Sequence, residues 1–268
     1  MTFVSCVRFT LGKGTEVKPM KIAACQLPFV LNDMDHALAL IDLHAANAQR
    51  QGVRLVCFPE CFLQGYEVTA EHVSRVAIDL ESPEFGRILR RLAELEPVIV
   101  LGMIEKHAGK FYNSAVVIDR GTLVTRYRKT HLIGSEQTVF EPGTEYPVFE
   151  VSGVKVGINI CYDLRFAEAA QAAVSAGAEL LACPCNNMLR PAAAEDWKLR
   201  HNEIRCERAR ESRVWILSSD VTGEHEGRIA YGPTAVINPD GKVVAQVPSM
   251  TTGMVVLDAL DDVAIRRE

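Results

Sequence analysis

The chain has 268 residues, 48% of them apolar, and a formal net charge of −5. That is enough for a substantial core, and so mild an acidity, with no basic run, argues against nucleic acid as the main partner. No apolar stretch reaches the length of a membrane span. Eight cysteines lie mostly in apolar runs with no CxxC pair, which fits neither a zinc knuckle nor a disulfide framework and points to a reducing cytoplasm.

Residues 1–19 lack the apolar core of a signal peptide and read as an N-terminal extension. From residue 20 to 268 the chain reads as one domain. Residues 21–26 form a buried strand. Residues 35–51 carry Ala37, Leu38, Ile41 and Leu43 at helical spacing, with Gly52 as the stop. A second strand at 53–58 ends at Pro59. A helix at 84–95 precedes strands at 98–102, 111–118 and 123–128, and a loop occupies 129–150. The pattern then restarts. A strand at 154–160, a helix at 167–176, a strand at 179–183 and a helix at 194–212 lead into strands at 214–219, 229–237, 243–246 and 254–257. This is an internal pseudo-repeat of roughly a hundred residues, too long for a solenoid. No Gly-, Ser- or Pro-rich linker separates the halves, and near-continuous apolar strands suit sheets covered on both faces. The expected fold is therefore α/β, a four-layer α-β-β-α sandwich.

Three residues stand directly after strands: Glu60, Lys129 and Cys161. If the strands are neighbours, the three side chains share one crevice at the carboxyl edge, where α/β folds place reactive groups. A carboxylate there can take the thiol proton, and an ammonium can hold the developing oxyanion. The backbone N–H of Tyr162 is a second candidate oxyanion donor, and the helix start after Cys161 is expected to favour the thiolate. Each residue also has a plainer reading: a solvated turn glutamate, a surface lysine, a small buried thiol.

The surrounding motifs decide between these readings. Phe58-Pro59-Glu60 with Gly65-Tyr66, Tyr127-Arg128-Lys129-Thr130-His131-Leu132, and Cys161-Tyr162-Asp163-Leu164-Arg165-Phe166-Ala167-Glu168 resemble, in order, the three signatures of the nitrilase superfamily of carbon–nitrogen hydrolases. The resemblance runs from Met20 to about Leu257. It implies the sandwich fold and a Glu–Lys–Cys triad on Glu60, Lys129 and Cys161. It also implies a second glutamate before the Glu141-Pro-Gly turn, matched by Glu136 rather than Glu141. It further implies no metal or organic cofactor, a small-molecule amide substrate, and a homodimer or higher homo-oligomer.

True nitrilases typically carry Trp-Glu after the cysteine, whereas this chain has Tyr162-Asp163. That favours the amidase-like branch, which includes ω-amidases and Nit proteins. An N-carbamoyl-amino-acid amidohydrolase, a nitrilase and a non-catalytic binding protein on the same fold are the alternatives. Tyr66, Tyr162, Arg165 and Asn186 are candidate substrate-binding residues. Arg165 can hold a substrate carboxylate, or instead bond Glu168 or a carbonyl at the helix start. Asn186-Asn187 can take an amide or ureido group, or serve only as turn chemistry. Cys183 and Cys185 are expected to be core packing, and Cys61 likewise. His131 is expected to be structural, because Glu60 fills the base role.

Overall fold

The computed structural model describes residues 20–259. The proposed extension at 1–19 lies outside the described residues. The elements in chain order are β1 (Met20–Pro28), α1 (Met34–Arg50), β2 (Leu55–Cys57), α2 (Ala70–Val76), β3 (Ile78–Asp79), α3 (Pro83–Arg91), β4 (Val98–His107), β5 (Lys110–Asp119) and β6 (Thr122–Arg128). The second half holds β7 (Phe149–Val151), β8 (Val154–Ile158), α4 (Ala167–Ser175), β9 (Leu180–Pro184), α5 (Pro191–Trp197), α6 (Arg200–Ser212), β10 (Trp215–His225), β11 (Arg228–Ala230), β12 (Ala235–Ile237), β13 (Val243–Gln246) and β14 (Gly253–Ala259).

The pseudo-repeat is visible in the pairing. β1, β2 and β4 are mutually parallel, and β5 and β6 continue antiparallel. In the second half β8, β9 and β10 are parallel, and β12 and β13 continue antiparallel. The halves join where the end of β1 pairs with β10, from Gln26 opposite Asp220 to Pro28 opposite Thr222.

Alternation along the strands builds the layers, since successive strand side chains point to opposite faces. Ile22, Ala24, Leu55 and Cys57 face Leu180, Ala182, Trp215 and Leu217 in a core between the two sheets. The other face of the first sheet, Ala23, Cys25, Leu27 and Val56, packs on Ala37, Ile41 and Ala45 of α1 and Phe85 and Ile88 of α3. The other face of the second, Leu181, Cys183 and Ile216, packs on Ala170 and Ala173 of α4 and Ala209 of α6. The result is the α-β-β-α sandwich. Local caps agree: Asp33 accepts the His36 N–H at the start of α1, and Ser82 accepts that of Phe85 ahead of Pro83 in α3. Among the described residues no helix is long and apolar enough to cross a membrane.

Several boundaries differ from the sequence reading. The helix expected at 194–212 starts earlier, at Pro191, and is two helices. The ladder lapses at Lys198, whose N–H makes an i−3 bond to Glu195 O at 3.4 Å. The strand expected at 229–237 is broken between β11 and β12. Pro233 has no N–H to give, and Gly232 adopts φ +69° against the Gln26 side chain. The helix expected at 84–95 ends at Arg91, and the strand expected at 98–102 runs to His107. The short α2 and the 3-10 turn Gly134–Thr138 were not anticipated.

Candidate active site

β6 reaches β4 through two antiparallel steps, so it runs parallel to β2. The carboxyl ends of β2 and β6 therefore open at the same edge of the first sheet, and Glu60 and Lys129 stand just beyond them. Backbone contacts fix both turns. The Lys129 N–H donates to Asn113 O at 2.8 Å, and the Glu60 N–H donates to Cys185 O at 3.1 Å, across to the second sheet. Two glycines allow the close approach. A Cβ on Gly102 would lie 2.3 Å from Pro59 O, and one on Gly143 would lie 2.2 Å from Arg128 O.

Lys129 is 1% exposed, as is Glu60, and Glu136 is fully buried. The Lys129 ammonium donates to Glu60 Oε1 at 2.7 Å and to Glu136 Oε1 at 2.9 Å. Asn113 Nδ2 donates to the same two oxygens at 2.7 and 2.9 Å, and the Tyr66 hydroxyl donates to Glu136 Oε1 at 3.0 Å. The other oxygen of Glu136 accepts the Ile133 N–H at 2.9 Å, which holds the loop beneath it. Glu141, the rival position, is exposed and pairs with Lys110 at 3.6 Å. Cys61, next to Glu60, is buried with φ +47° and its thiol donates to Asn113 Oδ1.

Burial pushes the Glu60 carboxyl up from 4.5 to about 7, with Lys129 pulling it down and Glu136 pushing it up. For Lys129, burial alone favours the neutral amine. The two carboxylates outweigh it and hold the ammonium well above its ordinary value. Lysine has three N–H donors, and the carboxylates take two, so one remains.

Cys161 opens a 3-10 turn, Cys161–Arg165, after β8. Its φ of +43° is a conformation that residues other than glycine rarely adopt, and the sharp turn presents the sulfur to the cavity. The helix start is expected to favour the thiolate, but the surroundings of Cys161 favour the thiol. The neighbouring Cys185 thiol, then burial, then the Glu60 charge raise its pKa well above the usual value. The turn is only one of 3-10 type, too short for the dipole to reverse this.

Asp163 braces the turn and was not recognised as such from the sequence. Its carboxylate is fully buried and accepts the Ile160 N–H at 2.9 Å, the Tyr127 hydroxyl at 2.8 Å, the His131 N–H at 2.8 Å and the Thr130 N–H at 3.2 Å. It thus ties the Lys129 loop to the Cys161 turn. His131 stacks on Phe166, with ring centroids 4.0 Å apart, and turns its Nδ1 to Asp163. It does not line the cavity.

Glu60, Lys129 and Cys161 line one cavity of about 260 Å³. Tyr66, Tyr162, Arg165 and Asn186 line it too. Arg165 bonds neither Glu168 nor a carbonyl at the helix start. Its guanidinium lies 4.6 Å from the Trp197 ring centroid and 5.3 Å from that of Tyr162. Asn186 Oδ1 accepts the Met188 N–H at 3.3 Å, which is turn chemistry. Asn187 is tied to buried Asp220 through its N–H at 3.0 Å and its side-chain amide, and Arg205 closes the network on Asp220 at 3.1 Å. That leaves Asn187 Oδ1 facing the Cys161 sulfur at 3.8 Å. His201, also on the wall, is kept neutral: burial, Arg205 and Arg165 push its pKa down to about 3. Asn113, Asp163, Trp197, His201, Arg205 and Asp220 have no role in the sequence reading, whereas Asn187 is weighed there as one of a polar pair. Only Asp163, inside the cysteine motif, carried a local signal. Among the described residues no group of three or more His, Cys, Asp or Glu side chains could hold a metal ion.

The carbon–nitrogen hydrolase family profile matches residues 21–266. A nitrilase from Pyrococcus abyssi is 31% identical over 229 residues, 84% of this chain and 84% of that protein. A human omega-amidase is 31% identical over 211 residues, 74% of each. Among solved structures, an amidase of the nitrilase superfamily from Nesterenkonia superposes with a TM-score of 0.79 at 26% identity, covering 95% of this chain and 97% of that one.

Proposed function

The chain belongs to the carbon–nitrogen hydrolase family, and from that premise we propose that it hydrolyses a small linear amide through a thioester on Cys161, releasing ammonia. The observation that carries this is one cavity holding a thiol beside a buried carboxylate–ammonium–carboxylate set. Glu60 titrates near neutrality, where a base can both take and return a proton. As the amide carbon approaches, Glu60 takes the Cys161 proton and the sulfur attacks. The free N–H of Lys129 holds the oxyanion, and its charge persists because two carboxylates flank it. Glu60 then protonates the leaving nitrogen and ammonia departs. Water, deprotonated by Glu60, cleaves the thioester to the carboxylic acid.

Glu136 neither gives nor takes a proton in this scheme. It balances Lys129 and fixes its direction, with Asn113 bridging the two carboxylates. The cavity's volume, about 260 Å³, suits a substrate of a few carbons. The amide reading is supported by Tyr162-Asp163 after the cysteine and by the relatives, which include an omega-amidase and an amidase. The test is ammonia release from a panel of short primary amides, ω-amides, N-carbamoyl amino acids and nitriles, with Cys161→Ala alongside. Ammonia without carbon dioxide from amides, abolished in the variant, is expected. Undiminished turnover by the variant refutes the mechanism. Turnover of N-carbamoyl amino acids or nitriles alone refutes the substrate class.

A further inference from the structure

The nucleophile does not stand alone among thiols. β8 and β9 pair in parallel, with Ile158 opposite Ala182. Three residues further along each strand, Cys161 falls level with Cys185. Neighbouring strands lie about 4.8 Å apart, within the Cα separation of roughly 4.4–6.8 Å that a disulfide spans. The chain turns at Cys161, yet the side chains still meet. Cys161 packs on the cluster that contains Cys183 and Cys185, and the Cys161 and Cys185 thiols are near enough to perturb each other's ionisation. Cys185 Sγ also lies 3.5 Å from Cys183 Sγ. All three are free thiols. They differ in access: Cys161 faces the cavity, whereas Cys185 is 1% exposed beneath it. Amide hydrolysis gives the Cys185 thiol no task.

A sulfur that a base can ionise in an accessible cavity is open to electrophilic oxygen, and a sulfenic acid left unresolved proceeds irreversibly to sulfinic acid. A second thiol in contact intercepts it. We propose that Cys185 is a resolving thiol for the nucleophile, so that a hydroperoxide converts the pair to a disulfide that reversibly switches hydrolysis off. The inference rests on Cys161 being the reactive thiol of the hydrolysis above. In the first step Glu60 takes the Cys161 proton, and the sulfur attacks one peroxide oxygen. An S–O bond forms, the O–O bond breaks, and the leaving oxygen departs as water or alcohol with that proton. In the second step Cys185 Sγ attacks Cys161 Sγ. The S–S bond forms, the S–O bond breaks, and hydroxide leaves as water with the Cys185 proton. The two thiols lose two electrons in total and the peroxide gains them. A dithiol reverses the state by exchange.

The test titrates the full chain with hydrogen peroxide, blocks remaining thiols by alkylation and maps peptides by mass spectrometry, with activity followed before and after dithiothreitol. The expected result is a peptide pair cross-linked through Cys161 and Cys185, loss of activity in proportion to it, and recovery on reduction. In Cys185→Ala, Cys161 is expected to reach sulfinic acid and activity, scaled to that variant's own untreated value, not to return. Cys183→Ala must still form the bridge, which controls for loosening of the cluster. Sulfinic acid at Cys161 in the unaltered protein without a bridge overturns the proposal, as does a bridge between Cys183 and Cys185 that leaves Cys161 free. The mapping needs no amide turnover. A bridge in a protein that hydrolyses no amide therefore indicts the hydrolysis reading, and turnover without a bridge indicts only this inference.

Discussion

Gly102→Ala tests whether Glu60 is held where the chemistry needs it. Gly102 lies on β4, away from the cavity wall, yet an added Cβ would sit 2.3 Å from Pro59 O and 2.7 Å from both Glu60 Cα and the Cys61 nitrogen. These are backbone atoms and cannot rotate aside. Ordinary contact needs about 3.4 Å or more between such atoms, so the Pro59–Cys61 segment must move by roughly an ångström. A displacement of about 1 Å at a reacting group costs on the order of 100-fold in rate, and overpacking costs about 1–3 kcal/mol in stability. Gly157→Ala is the matched control. Its Cβ would meet only side-chain carbons, at 3.0–3.2 Å, where Ala173, Ala178 and Leu181 pack behind β8. The assay pairs kcat on a short amide with urea denaturation of both variants. The expected outcome is a folded Gly102→Ala with kcat down about 100-fold, and a Gly157→Ala whose kcat falls far less. A folded Gly102→Ala with full activity refutes the positioning argument.

Other outcomes follow from the same geometry. Glu60 must be ionised to act as base, so kcat/KM should rise with pH through about 7. Glu136→Gln removes the negative neighbour that holds this pKa up, so the acid limb should move to lower pH; a pH–rate profile with the limb unmoved or moved upward contradicts the assignment. Asp163→Ala strips the partner from the Ile160, His131 and Thr130 N–H groups and from the Tyr127 hydroxyl. Urea denaturation should show a loss of about 3–5 kcal/mol, and a loss below about 1 kcal/mol would be inconsistent with the brace. Arg165→Met should raise KM about tenfold or more for amides bearing a distal carboxylate and leave uncharged amides nearly unaffected, given the 1.5–3 kcal/mol of a hydrogen bond to a charged group; equal effects on both would assign Arg165 to packing on Trp197 instead.

The residues whose shared cavity could be read from the sequence are those whose signal is local. Glu60, Lys129 and Cys161 each stand at the end of a strand, inside a recognisable motif. The layers were legible for the same reason, because the strand and helix periods are printed in the residues themselves. What sequence could not show is convergence. Asn113 is one polar residue midway along an apolar strand, and nothing near it says that its amide bridges two glutamates. Asp220 and Arg205 meet only because β10 and α6 pack together. Gly102 looks like any strand glycine until the turn at Glu60 passes over it. The broken helix before residue 200 was hidden because Ala-rich and charged residues run on without Gly or Pro. The upward push on the Cys161 thiol is not legible either, because it comes first from Cys185, a neighbour across the sheet rather than along the chain.

The central claim, that Cys161 carries the acyl group inside this cavity, is tested most directly by acid-quenching the protein with an activated short-chain acyl ester, for which acylation outruns deacylation, and mapping the label by peptide mass. The account predicts one acyl group per chain on the peptide containing Cys161, decaying as the carboxylic acid appears and absent from Cys161→Ala. Acylation at another residue, or steady hydrolysis with Cys161 never labelled, would contradict it.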